Sequence, residues 1–172
     1  AKPGPGPGAG PGAKPGARRH PSPRHRARII ARVRAAILSI GDELVLGQSV
    51  DTNSAWLSDE LARLDVACDE HRTVADDRDA IARAITALLD GRDLLLLTGG
   101  LGPTADDLTR HALGDVLDPG RPLVLDDAAL TELEGWFAGR PGGMPAANRV
   151  QAMRPASAAM IPNPRGTAPG LR

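Results

Sequence analysis

At 172 residues the chain has room for one ordinary domain and a tail. Its formal net charge of zero conceals an asymmetry: residues 1–34 hold nine of the 21 Lys and Arg and no acid, so the other 138 residues carry 12 basic and 21 acidic side chains, a formal charge of −9. An acidic body argues against nucleic acid as the main ligand, because phosphate-backbone binding needs a positive face that releases counterions.

Residues 1–24 alternate Pro and Gly with Ala, Lys and Arg. That composition buries too little apolar surface to offset ordering entropy, so residues 1–34 are expected to be a disordered basic arm and 35–172 the folded domain. From Ala35 the pattern becomes regular. Ala35–Ile40 is a short apolar run stopped by Gly41, as in a buried parallel strand. Asp51 or Thr52 caps a helix with Trp56, Leu57, Leu61 and Leu64 at helical spacing. Val66–Val74 is a second strand, more polar and so nearer a sheet edge. It contains Cys68, a lone cysteine that rules out an internal disulfide, fits a reducing compartment and reads as a small core residue.

Asp76 or Asp77 caps the next helix, striped by Ile81, Ile85, Leu88 and Leu89. Leu94–Leu97 is a third strand, apolar at every position as burial on two sides demands. A helix over about 104–116 follows, then one over 126–138 with Leu130, Leu133 and Trp136 or Phe137, and a short one over 146–153. Strand alternating with helix predicts a doubly wound α/β domain in which the first strand lies between the second and third. The loops after the first and third strands then meet at the carboxyl edge, where such sheets bind ligands. No apolar run approaches the roughly 18 residues of a membrane span, and no signal-peptide core precedes the domain. The expectation is a soluble cytoplasmic protein with no membrane and no nucleic-acid partner.

Two constellations bear chemistry. The turn Thr98–Thr104 holds Gly99, Gly100 and Gly102, which let backbone N–H groups face a phosphate, and it leads into an expected helix N-terminus. It is neither a P-loop nor the dinucleotide fingerprint. Asp106 and Asp107 follow: Thr104 with Asp107 has capping-box spacing, so one acid is assigned to the cap and the other to metal or substrate. The second constellation is Gly41–Leu44 with Asp51, Thr52 and Asn53. Asp42 has no capping role to explain it and is the favoured functional acid there, whereas Asp51 doubles as an N-cap.

The segments GDELVLGQSVDTN, TGGLGPTADDLT, MPAANRVQAM and NPRGTAP occur in order and together resemble the N-terminal domain of the CinA family, within the wider MoaB/MogA/MoeA molybdopterin-binding fold. The resemblance implies a three-layer α/β/α domain with a mostly parallel sheet, often oligomeric. In CinA proteins this domain is similar to a metal-dependent ADP-ribose pyrophosphatase. Carried onto this chain, Asp42 and Asp107 are the expected catalytic residues. Asp42, Asp106 and Asp107 are expected to hold a divalent metal, and Gly99, Gly100, Gly102, Thr104, Asp51 and Asn53 to bind the substrate. Full-length members add a C-terminal domain that deamidates nicotinamide mononucleotide. No counterpart of that domain is present in this sequence, so its activity is not transferred, and the domain itself is expected to lack a last strand and an LPG-type loop. The rival readings are a molybdopterin-binding module using the same loop for the pterin phosphate, and an inactive fragment whose basic arm mediates interaction.

Overall fold

The computed structural model describes Ala1, Gly4 and residues 33–172. Residues 31–172 form one compact unit. The expected disordered arm lies almost wholly outside the described residues.

Three strands make the main sheet: β1 (Arg34–Ile40), β2 (Ala67–Val74) and β3 (Leu94–Thr98), all parallel, in the order β2-β1-β3. This is the order expected from right-handed crossovers. Along β1 the side chains alternate between two faces with the period of two of an extended chain. Ala35 and Ile37 pack with Leu57 and Leu61 of α2 (Thr52–Arg63), and Cys68 joins them. Ala36, Leu38 and Ile40 pack with Ile81, Ala84, Ile85 and Leu88 of α3 (Arg78–Leu89) and with Ala112 of α4 (Thr109–Leu117). One helix on one face and two on the other make the three layers. A one-turn helix, α1 (Asp42–Val45), lies between β1 and α2.

The amino-terminal edge of the sheet is tied by charge. A bulge between Ala35 and Ala36 leaves Asp69 without a register partner, and its carboxylate accepts from Arg34 at 2.5 Å and Arg92 at 2.6 Å. Arg92 also reaches Glu70 at 2.8 Å. These ions stand at the end of the sheet away from the loops of interest.

The C-terminal third is built from short pieces. β4 (Val124–Leu125) pairs antiparallel with β5 (Met153–Arg154), and β6 (Met160–Ile161) with β7 (Gly170–Leu171). Between them come α5 (Asp127–Phe137), capped by Asp126, and a 3-10 helix over Ala146–Ala152. Asp118, at the end of α4, accepts from the amide and hydroxyl of Ser157 at 2.9 and 3.1 Å and so anchors this segment.

Several expectations need correction. Trp56 and Leu64 fit the spacing of the α2 stripe but are 62% and 74% exposed. Only Leu57 and Leu61 of the four meet the sheet, because that layer is a single helix wide. Leu89 is likewise exposed at the end of α3. Leu94–Leu97 of β3 are apolar at every position, yet the strand is only half-buried throughout. Among the described residues it pairs on one side only, with β1, and its free side opens into an apolar cleft shared with Leu101, Leu113 and Leu171. Asn148 faces inward, its amide donating to Gln151 at 2.9 Å, while Arg149 is exposed. No helix among the described residues is long and apolar enough to cross a membrane.

Candidate functional site

Parallel pairing puts the carboxyl ends of β1 and β3 side by side, so the loops that leave them touch. Gly99 shows how closely. It has φ +96°, and a Cβ there would lie 2.0 Å from the Ile40 carbonyl oxygen. Only glycine allows the turn after β3 to rest on the end of β1. Beneath the junction, the Thr98 hydroxyl meets that of buried Ser39 at 3.5 Å.

The turn does not lead straight into a helix. α4 begins at Thr109, five residues after the expected start, and Leu108 at its N-cap makes no side-chain cap bond. The physical reason is Asp107. Its carboxylate folds back and accepts from the Gly102 amide at 2.8 Å, the Thr104 amide at 2.8 Å and the Thr104 hydroxyl at 2.6 Å. A charge-assisted bond is stronger than the neutral helical bond it replaces, so residues 104–108 close a loop instead of a helical turn. Gly102 leaves the space this needs, since a Cβ there would sit 2.5 Å from Asp107 Oδ2. Burial pushes the Asp107 carboxyl up, but the bonds from Thr104 and Gly102 and the charge of Arg110 outweigh it and hold the group below its ordinary value. Two amides expected to face a ligand, those of Gly102 and Thr104, are thus engaged by Asp107 itself. Thr109 fastens the loop's other end, its hydroxyl donating to the Gly99 carbonyl at 2.8 Å.

Across from this loop lies a second group of acids. The Asp42 amide donates to Asp76 Oδ2 at 3.0 Å, and the Asp76 amide donates to Asp42 Oδ1 at 3.1 Å. This reciprocal lock joins the ends of β1 and β2. Burial raises the Asp76 carboxyl; the Asp42 amide opposes that, and the charges of Asp42, Glu43 and Asp106 add to it. Asp106 belongs to the glycine loop, and its charge reaches Asp76. Asp42, Glu43 and Asp106 are exposed.

The third wall is the start of α2. Asp51 caps it, accepting from the Ser54 amide at 2.9 Å. Burial pushes the Asp51 carboxyl up, but bonds from the Ser39 side chain, Ser54 and the Asn53 amide prevail and lower it. Asn53 is exposed beside it. Asp51 therefore ties α2 to the floor of the junction.

Two residues absent from the expected set matter here. Asp76 was readable only as an alternative cap; Asp77 takes that role, accepting from the Ala80 amide at 2.6 Å, which frees its neighbour. Arg110 carried no signal of its own. It is 0% exposed, yet it bonds only through Nη2, which donates to the Leu101 carbonyl at 2.8 Å. Its Nε and Nη1 are buried without partners among the described residues. Burial pushes its pKa down to about 10, opposed by Asp107, and the group is still charged at neutral pH. His111 is partly buried, and its pKa is lowered by burial and by the nearby Arg78 and Arg110; the His71 ring lies 3.3 Å from the Ser58 hydroxyl.

Among the described residues no three His, Cys, Asp or Glu side chains gather closely enough to hold a metal ion unaided. Asp42 and Asp76 each commit one oxygen to a neighbouring amide and keep the other, and Asp106 of the glycine loop is exposed. Such a set fits a hydrated ion of the magnesium type, which takes one or two carboxylates and completes its shell with water and substrate phosphates.

Comparison with known proteins identifies the family and fold. Residues 36–171 match the family model described as a probable molybdopterin binding domain. A putative competence-damage inducible protein of Symbiobacterium thermophilum is 46% identical over 138 residues, 80% of this chain and 32% of its own length. A CinA-like protein of Geobacter metallireducens is 45% identical over 139 residues, 81% of this chain and 33% of its own. The chain thus spans about a third of the length of these curated relatives. Among solved structures, CinA of Thermoplasma acidophilum, a protein of unknown function, matches with TM-score 0.75 and 31% identity, covering 81% of this chain and 80% of that one. With this match over nearly all of residues 36–171 and the same three-layer frame beneath it, the chain belongs to the probable molybdopterin-binding domain family, in its CinA-like branch.

Proposed function

We propose that this domain binds the pyrophosphate of ADP-ribose or a related dinucleotide between the two loops and hydrolyses it with the help of a divalent metal ion. The observation that carries this reading is the reciprocal bonding of Asp42 and Asp76, with the charge of Asp106 reaching Asp76 from the glycine turn that packs on the end of β1. Carboxylates gathered this way repel one another and repel a phosphate, and a divalent cation relieves both.

The metal, when bound, supplies neutralising charge on the phosphates and a more acidic water. The free oxygens of Asp42 and Asp76 would hold it, and Asp106 would draw it towards the glycine loop. Asp107 keeps that loop in shape. Asn53, exposed beside Asp51, is our candidate for the ribose hydroxyls.

The test is metal-dependent release of AMP from ADP-ribose, using Asp42→Asn and Asp76→Asn. A fall of about 100-fold or more in either variant, with folding retained, supports the reading; the size is that of losing a charged group from a transition state. Unchanged AMP release in both variants refutes it. The family description names another ligand, molybdopterin. Tight molybdopterin binding with no ADP-ribose cleavage would replace the hydrolase reading with a pterin-binding one.

A further inference from the structure

Arg110 is the side chain that neither the fold nor the proposed reaction absorbs. A guanidinium that is 0% exposed, with two of its donor nitrogens unpartnered, is costly. Unpaired buried donors cost about 1–3 kcal/mol each, and a buried charge more. An apolar residue of similar length would pack at this point of α4 without that penalty. The cost must be recovered where the charge acts, and the surroundings say where that is.

The guanidinium is lodged against the glycine loop through the Leu101 carbonyl. The carboxylate whose field it feels is Asp107, which sits on the amides of Gly102 and Thr104. Asp42 and Asp76 are bonded at the ends of β1 and β2, and the charges of Asp42, Glu43 and Asp106 all act on Asp76. A phosphate arriving at this junction meets a wall of negative charge. Arg110 is the cation whose field reaches Asp107, and it cancels the charge that Asp107 places inside the loop.

We infer that Arg110 is the anion-selecting residue of the loop: a buried positive charge, acting through the backbone of residues 101–107 without touching the ligand, that lets an acidic site accept a phosphate or pyrophosphate group. It is a positioning residue, because it is sealed from solvent and shapes the field at the loop. The inference rests on the proposal that an anion binds here, and it extends that proposal by assigning the positive charge to α4 in addition to a bound metal. For charges roughly 7–12 Å apart at an effective dielectric of about 20, removing the cation weakens anion binding by about 10- to 50-fold.

The experiment titrates the protein with inorganic pyrophosphate, without and with magnesium, following the rise in melting temperature and the heat of binding. Two variants separate charge from structure. Arg110→Gln keeps a donor for the Leu101 carbonyl and loses the charge; Arg110→Lys keeps the charge and loses the planar guanidinium. The expected result is pyrophosphate binding about 10- to 50-fold weaker in Arg110→Gln and within about threefold of the parent in Arg110→Lys, with adenosine, a neutral nucleoside, bound equally by all three. Equal pyrophosphate affinity in the parent and Arg110→Gln overturns the inference. Equal weakening in both variants also overturns it, because that marks a structural role. A parent that binds pyrophosphate and fails to cleave ADP-ribose sinks the hydrolase proposal and leaves this inference to the variants. A parent that binds no pyrophosphate sinks both.

Discussion

Replacing Asp107 with Asn separates the two tasks that an acid at this position can have. If the carboxylate is free to ligate a metal, its removal leaves the metal-free protein as stable as before, or more so. The geometry requires the opposite. Three donors converge on Asp107, at 2.8, 2.8 and 2.6 Å. Bonds to a charged group contribute roughly 1.5–3 kcal/mol when buried, so about 1 kcal/mol each is reasonable for this half-buried site. Asn keeps one acceptor oxygen and turns an N–H₂ towards donors, which costs about two of the three bonds. Arg110 also loses the charge that opposes its burial. The expected destabilisation is about 2–4 kcal/mol, read from urea unfolding, or roughly 8–15 °C in melting temperature for a domain of this size. The pH dependence supplies a sign. The folded carboxyl is held below its ordinary value, so its contribution is fully present above the unfolded pKa of about 3.9 and is lost as pH falls through the folded pKa. The gap between parent and variant should therefore be constant from pH 5 to 8 and close in acid, about pH 4 and below. A destabilisation under about 0.5 kcal/mol, or a gap that persists unchanged into acid, would refute the loop-forming role.

Gly99→Ala should prevent folding or cost about 4 kcal/mol or more, because its Cβ would meet the Ile40 carbonyl at 2.0 Å in a left-handed backbone. Gly47→Ala, also left-handed at φ +68° but with nothing within 4 Å, should cost only about 1 kcal/mol by the same urea titration; equal losses would mean that backbone conformation, not close packing, governs Gly99. Asp106→Asn should lower the pKa of Asp76 measured by carboxyl-carbon NMR, since the Asp106 charge raises it. Asp127→Asn, whose charge is not among the causes of that shift, serves as control, and an unmoved Asp76 in Asp106→Asn would show that the two loops do not face each other in solution.

The frame of the domain was legible because it rests on period and punctuation. Four apolar residues in a row at 94–97 and the helix starts signalled by Asp51 or Thr52 and by Asp76 or Asp77 follow from local rules, Asp51 and Asp77 proving to be the caps, and strand order follows from crossover handedness. Local rules failed where a tertiary contact outbid them. The spacing of Thr104 and Asp107 does describe a bond between them, yet the bond closes a loop and delays the helix to Thr109, because Gly102 offers the same carboxylate another donor. Trp56 and Leu64 have helical spacing on a helix whose neighbour covers only one stripe. Arg110 lies off the apolar stripe of α4 formed by Leu108, Ala112, Leu113 and Val116, and its burial comes from the loop that folds over it. No property of residues 109–111 taken alone announces that.

The aspartate doublets show how position in the fold, and not residue type, assigns the acids. Three pairs occur: Asp76–Asp77, Asp106–Asp107 and Asp126–Asp127. Adjacent like charges repel, and in each pair one member accepts from a backbone amide three residues away in sequence. Asp77 and Asp126 cap helices by accepting from the amide three residues ahead, whereas Asp107 accepts from the amide three residues behind. That reversal has a consequence for the partner. A doublet at a helix start leaves its second acid in the helix's first turn, as with Asp127, where the helix dipole already accommodates it. Asp106 precedes its helix, on a loop at the sheet edge, with no dipole to compensate it. Asp76 precedes its cap and lies at the same edge, bonded to Asp42. The two acids least accounted for by local structure are thus the two that share a field across the loop junction, which is the arrangement expected where a cation or a cation-bearing phosphate completes the charge balance.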